Sequence, residues 1–211
     1  MQEEERAMVE VEPVARMAVP YPTSTSGKIE YAQNLKVEGN GFFKEGNMKK
    51  ALTTYAKVFA FTRGLPGSKF DRVEGYMSPS DLGVNDKSGD KITEEQENDC
   101  VALELATLTN IATIHIKLGN GLKAISNSET AITRNASSWK AHLRLGEGHA
   151  LIGGDNLPQA FESLLKAYEL APDANKISVF NEIEKVRKAI KREEQAYLKS
   201  QRKTFGNVSD T

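Results

Sequence analysis

The sequence predicts an all-α protein in which one helical hairpin is stacked three times and a further helix closes the end. Three observations predict it. Small residues recur at matched places: Gly39, Ala112 and Gly146 on the first helix of each unit, and Ala51, Ala124 and Ala160 on the second. The last two units, starting near Leu105 and Trp139, are 34 residues apart. Beyond them, Val179, Ile183, Val186 and Ile190 step by four, three and four, the spacing of one helical face.

Each element can be justified in turn. Residues 1–27 read as a tail, because VPYPTSTSG has no apolar period and little to bury. Unit one starts near Ala32 and unit two lies 73 residues further on, so about one repeat length is inserted between them. The insert, residues 64–92, carries five Gly and two Pro and reads as a long loop. A helix restarts after Thr93, which can cap it while Gln96 reaches back, and runs to about Lys117. The third unit has about two extra residues around Gly153, Gly154 and Asp155, then Asn156 as a cap and Pro158 in the first turn. Pro172 ends that unit after AYELA. Asp173 is the expected cap of a last helix over 173–205, which covers the end of the stack and projects past it; 206–211 is a short tail.

This pattern resembles the tetratricopeptide repeat, a helix-turn-helix unit of about 34 residues. The resemblance implies a superhelix of three repeats over residues 28–172, with residues 173–205 as the capping helix. The small residues fit that fold, since they let paired helices approach closely and receive a neighbour's large side chain. At the next matched positions stand Tyr55, Ser128 and Leu164, then Val58, Ala131 and Ala167. One hairpin cannot bury its own apolar face, so the units must stack.

The repeat register gathers five polar residues from distant places. Lys36 and Asn40 are one turn apart on the first unit, and Phe43 continues their face. Asn110 lies two before Ala112 in the second unit, and Lys140 and Arg144 are one turn apart in the third. This set is similar to the carboxylate clamp of co-chaperone tetratricopeptide domains. Those domains take the acidic C-terminal tails, ending Glu-Glu-Val-Asp, of cytosolic Hsp90 and Hsp70. The resemblance implies that Lys36, Asn40 and Asn110 hold a peptide's terminal carboxylate. It assigns Lys140 to the last Asp side chain and Arg144 to the peptide backbone or an upstream acidic side chain. Phe43 would make an apolar contact. The residue types suit the chemistry: Lys brings a point charge, Arg a planar fork, and Asn a neutral donor.

The layout as a whole, a long insert and then a basic helix, resembles the tetratricopeptide half of FK506-binding immunophilins. The insert and the restart EEQENDCVALE are also similar to the tetratricopeptide repeat protein 9 family. The 27 residues ahead of the repeats are too few for a prolyl isomerase domain, and nothing resembles a nucleophile–base pair, so the reading is a non-enzyme.

Composition narrows the classes further. With 39% hydrophobic and 27% charged residues and a net charge of -1, nothing global points to nucleic acid. No apolar run reaches the ~20 residues that span a bilayer. The acidic N-terminus is unlike a secretory signal, and Cys100 is the only cysteine. The expected location is the cytoplasm, or the nucleus. No cofactor is implied. Cys100 reads as a small buried hydrophobe. His115, His142 and His149 lack a carboxylate or Cys at ligand spacing, so no metal is expected. DKSGDKITEE departs from a calcium loop, because Val84 falls at the first ligand position. Residues 185–203 hold eight Lys or Arg against two Glu. A solvated extension of the capping helix is the plainer reading of that stretch, with calmodulin as the alternative partner.

Overall fold

The fold is described from a computed structural model, which describes residues 21–63, 65 and 91–205. Seven α-helices follow in order: α1 Thr25–Lys44, α2 Met48–Thr62, α3 Glu94–Lys117, α4 Gly121–Arg134, α5 Trp139–Ile152, α6 Leu157–Leu170 and α7 Asp173–Phe205. A 3-10 turn, Gly154–Asn156, precedes α6.

Local chemistry sets most of the boundaries. Ser24 accepts from the Gly27 N–H at 3.1 Å, Asn47 from Lys50 N–H at 3.1 Å, and Ser138 from Ala141 N–H at 3.3 Å. Each supplies an acceptor to a helix start that has no intrahelical one. The helical domain thus begins a few residues before the expected boundary at 28, and Tyr21 already packs on Tyr31 and Phe61. Thr93 and Gln96 form the expected capping box at the head of α3, which ends at Lys117 as read. Two cap assignments are corrected. Asn156 stands before α6 but its side chain makes no cap; its carbonyl faces His149 Nδ1 at 3.3 Å and its amide faces the Gly153 carbonyl. The 3-10 turn has already fixed the path there, so the side chain is free to brace α5. Asp173 is the first residue inside α7, and its carboxylate pairs with Lys176 at 2.9 Å. The insert falls largely outside the described residues, and so does most of the calcium-like loop.

The turns repeat as faithfully as the helices. Gly46, Gly119 and Gly153 adopt φ of +80°, +76° and +72°. They stand 73 and 34 residues apart, the same offsets as the units themselves. Gly46 and Gly119 turn the chain at the ends of their first helices with a positive φ that glycine enters without penalty, whereas Gly153 joins its positive φ to an extended ψ of -164° and leads into Gly154 at φ +55°. The next N–H closes the motif: Asn47 N–H bonds the Phe42 carbonyl and Asn120 N–H the His115 carbonyl, both at 2.8 Å.

Within each hairpin the matched small residue does what was expected. A Cβ on Gly39 would lie 2.6 Å from the Tyr55 ring, and one on Gly146 would lie 2.6 Å from Leu164 Cγ. Ala112, the small residue of unit two, is fully buried, as is Ser128 four residues after Ala124. Between units, α1 packs on α3 and α3 on α5, while the second helices make no comparable contact in succession among the described residues. The first helices therefore form one continuous row. A core of Tyr55, Phe59, Leu108, Ile111 and Ile114 crosses from unit one to unit two, and Val179, Ile183 and Val186 seal α7 onto α6. Residues 191–200 of α7 are all exposed, so the helix runs beyond the stack.

One buried charge cluster bridges the ends of the insert. Glu104 on α3 faces Arg63 Nε at 3.5 Å and Arg134 Nε at 3.3 Å, and accepts from Thr62 Oγ1 at 2.7 Å. All four residues are buried or nearly so. Removing one partner of a buried pair costs about 3–5 kcal/mol, because the others stay desolvated. Glu104→Ala should therefore lower the unfolding free energy in urea by about that amount. A loss under about 1 kcal/mol would show that the cluster is dispensable.

Candidate functional site

The site is built on the row of first helices. On α1, Lys36, Asn40 and Phe43 lie on one face, with all three half-buried. Asn110 projects from the middle of α3. On α5, Lys140 is exposed and Arg144 half-buried.

The structure joins the first two units at the asparagines. Asn110 Nδ2 donates to Asn40 Oδ1 at 3.0 Å, although 70 residues separate them. Tyr55 Oη donates to the same Asn40 oxygen at 2.6 Å, and Asn110 Nδ2 also reaches Tyr55 Oη at 3.3 Å. With its carbonyl turned inward to two donors, Asn40 directs its own amide group away from them. Burial holds the Tyr55 hydroxyl above its ordinary pKa, although the Asn110 hydrogen bond opposes this. It therefore acts as a neutral donor at any physiological pH. Sequence reasoning missed Tyr55 as part of this constellation. The signal was present in its pairing with Gly39: with no Cβ there, the ring passes close enough to α1 for its hydroxyl to reach Asn40.

The other members are placed as follows. Lys140 Nζ lies 5.6 Å from the Trp139 ring centroid. Phe43 packs against the inter-unit core, and Lys117 Nζ sits 5.1 Å from its ring centroid. Lys117, at the end of α3, is thus a further cation beside the predicted set. Arg144 Nη1 donates to Glu147 Oε2 at 2.6 Å, one turn along α5. Glu147 was not foreseen. It also lines a cavity of about 490 Å³ between α3, α5, α6 and α7, walled by Ile116, Leu151, Leu164 and Val186, with Glu182 and Lys185 at its edge.

The side chains on α1, α3 and α5 supply N–H donors and cations from three successive first helices. That suits a ligand rich in carboxylates and carbonyls.

Remaining candidates fall elsewhere. Cys100 is buried, and burial with Glu104, Asp99 and Glu97 nearby pushes its thiol up to about 12, so it is an inert core residue. Among the described residues no three metal-ligating side chains cluster. His142 Nε2 meets the Ala136 carbonyl at 2.9 Å, and His149 meets Asn156. On α7, Lys185 and Arg187 are held by Glu182 and Glu184 at 2.7 and 2.8 Å. No described helix is long and apolar enough to cross a membrane.

Known proteins share this fold. The C-terminal TPR-containing domain of an FK506-binding protein of Plasmodium falciparum matches with a TM-score of 0.62 and 21% identity, over 83% of this chain and 98% of that one. This chain has the tetratricopeptide-repeat fold. The first tetratricopeptide domain of human RPAP3 matches with a TM-score of 0.55 and 21% identity, over 80% of this chain and 99% of that one. The first tetratricopeptide domain of Spaghetti (RPAP3), solved bound to the HSP90 peptide SRMEEVD, matches at 0.52 and 21%, over 76% and 96%. In sequence, the peptidyl-prolyl cis-trans isomerase FKBP4 of Bos taurus is 26% identical over 82% of this chain, and that of Mus musculus 27% over 69%. The chain spans 33% and 27% of the length of those two relatives. No family model matches. The resemblance read from the sequence, to the tetratricopeptide half of the immunophilins, is thus supported by both kinds of neighbour.

Two measurements test this geometry. Tyr55→Phe removes one of the two donors to Asn40 and should cost about 1 kcal/mol of stability; an unchanged denaturation midpoint would refute the bond. His115 is buried with its Nδ1 lacking a hydrogen-bond partner, and burial, with Lys123 nearby, lowers its pKa from 6.5. The unfolded chain therefore takes up this proton first. Stability should be full above the unfolded pKa and fall as pH drops from about 7 towards the folded value. Thermal melts should show that fall shrinking in His115→Gln; a wild-type-minus-variant difference flat with pH would contradict it.

Proposed function

We propose that this tetratricopeptide domain is an adaptor that binds the acidic C-terminal tail of Hsp90, or of Hsp70, through the row Lys36, Asn40, Asn110, Lys140 and Arg144. The observation that carries the reading is the direct Asn40–Asn110 hydrogen bond. It ties the first-unit and second-unit members of the set to each other across the insert, which supports reading the third-unit cations Lys140 and Arg144 as their continuation along the row of first helices. That one structural neighbour was solved with an HSP90 peptide ending in EEVD supports the choice of ligand.

The chemistry follows from the side chains. The ligand's terminal carboxylate sits against the Lys36 ammonium and the Asn40 amide, and Asn110 keeps its bond to Asn40 while trading its longer contact with Tyr55 for the carboxylate. Lys140 meets the last acidic side chain, and Arg144 meets the strand upstream of it. Phe43 offers an apolar surface beside them. Each charge-assisted hydrogen bond contributes roughly 1.5–3 kcal/mol net. Ordering a flexible peptide offsets much of the sum. The expected dissociation constant is micromolar, about -8 kcal/mol.

The test is a titration of labelled Met-Glu-Glu-Val-Asp and of the same peptide with an amidated end. The free-acid peptide should bind in the micromolar range, and amidation should weaken it by at least tenfold, about 1.4 kcal/mol. Lys140→Glu should abolish binding. Equal affinity for the amidated peptide would remove the carboxylate from the interaction and sink the reading.

A further inference from the structure

Lys140, Arg144, Glu147 and Leu151 follow one another at spacings of four, three and four, so they form a single stripe along α5. The stripe begins in the cationic row and ends in the cavity shared with α7, which both Glu147 and Leu151 line. At the junction the Arg144 guanidinium is already held by the Glu147 carboxylate at 2.6 Å, with side-chain exposures of 27% and 18%. Among the described residues no carboxylate pairs with Lys140, whose ammonium lies over the neighbouring Trp139 ring.

Resting on the clamp reading above, we propose that Glu147 is a specificity-determining residue: it stands in for a ligand carboxylate at Arg144 and biases this position towards a neutral residue or a backbone carbonyl. The guanidinium has five N–H donors in a fixed fork. Glu147 Oε2 already occupies Nη1 of that fork at 2.6 Å, which leaves the other donors for a carbonyl. An acidic side chain arriving at Arg144 must displace Glu147 or lie close to it, and like charges at that range repel. A neutral side chain meets neither cost. The charges around Glu147 reinforce this. Glu182 and Lys185, at the edge of the same cavity, are paired with each other at 2.7 Å. Lys185 also lies within electrostatic reach of Glu147, but its direct ion pair is with Glu182, and the direct partner of Glu147 is Arg144. The result is a groove graded along its length, with an open cation at Lys140 and an internally neutralised one at Arg144.

The experiment uses two free-acid peptides, one with Glu and one with Gln at each position upstream of the last residue in turn. They are titrated against the wild type, Glu147→Gln, Arg144→Gln and the double variant. Glu and Gln have nearly the same shape, so the fold should persist, and thermal melts check this. Glu147→Gln should bind the Glu peptide about tenfold more tightly at one upstream position, and change the Gln peptide there by less than about twofold. That gain should vanish when Arg144 is already Gln. An equal gain for both peptides, no gain for either, or a gain that survives Arg144→Gln overturns the proposal. The last outcome would mean that Glu147 acts only through the general field. If the wild type binds no acidic peptide but Glu147→Gln does, the proposal stands and the clamp is shown to be locked. If neither protein binds, both readings fall. If the wild type binds equally well to free-acid and amidated ends while the Glu147 effect persists, only the clamp reading falls.

Discussion

Everything in this fold depends on units one and two staying in register although about one repeat length of chain is inserted between them. The buried Glu104 cluster is the constraint that achieves it. Glu104 sits on α3, while its partners Thr62 and Arg63 end α2 and Arg134 ends α4. A single carboxylate thus ties α3 to the C-terminal ends of α2, which leads into the insert, and of α4. Desolvating such charges is costly, and apolar residues of the same volume could pack there. What apolar packing lacks is direction. A carboxylate with defined donors accepts one arrangement of the helix ends, whereas an apolar contact tolerates sliding by a turn.

The consequence is felt at the surface. A shift of one residue along α3 would move Asn110 by about 1.5 Å and turn it by about 100°. The Asn40–Asn110 bond at 3.0 Å would then be lost. The buried charge cluster and the half-buried amide pair are two readings of the same register, one in the core and one on the row of first helices. Between them lies Tyr55, fully buried yet reaching Asn40 with its hydroxyl. Gly39 makes that path possible, so the smallest residue of the repeat pattern shapes the ligand surface as well as the helix packing.

This explains which parts were legible in the sequence. The helical hairpins, the 34-residue spacing, the capping box at Thr93 and the apolar line on α7 rest on local periodicity and short-range chemistry, which a single chain displays openly. Residues of the predicted site could be placed on their helices for the same reason. The partners of those residues could not be read. Tyr55 looked like a packing residue because its ring is one, and nothing local says that its hydroxyl faces Asn40. Glu147, three residues after Arg144, resembled an ordinary surface pair on a helix, which usually contributes little. Asn156 and Asp173 had the composition of caps, but a 3-10 turn in one case and a one-residue shift of the helix start in the other gave their side chains different work. The glycine at each hairpin turn was legible and went unread: Gly46, Gly119 and Gly153 repeat the register independently of the helices.

The pairing of Arg144 with Glu147 also bears on how a shallow cationic surface can discriminate among acidic partners. A row of free cations would attract any polyanionic segment, since long-range attraction carries little information about sequence. Selectivity needs positions where the wrong charge is penalised as well as positions where the right one is rewarded. In this groove both kinds lie on one helix, a turn apart. In the proposed reading Lys140 rewards negative charge, while the Arg144–Glu147 ion pair offers donors without net charge. The fixed stagger between them, about 6 Å along α5, is close to two residues of an extended peptide. On the proposed reading, a ligand is read by the alternation of its charges as well as by their sum, and the frame is set by the helix register to which Glu104 contributes in the core.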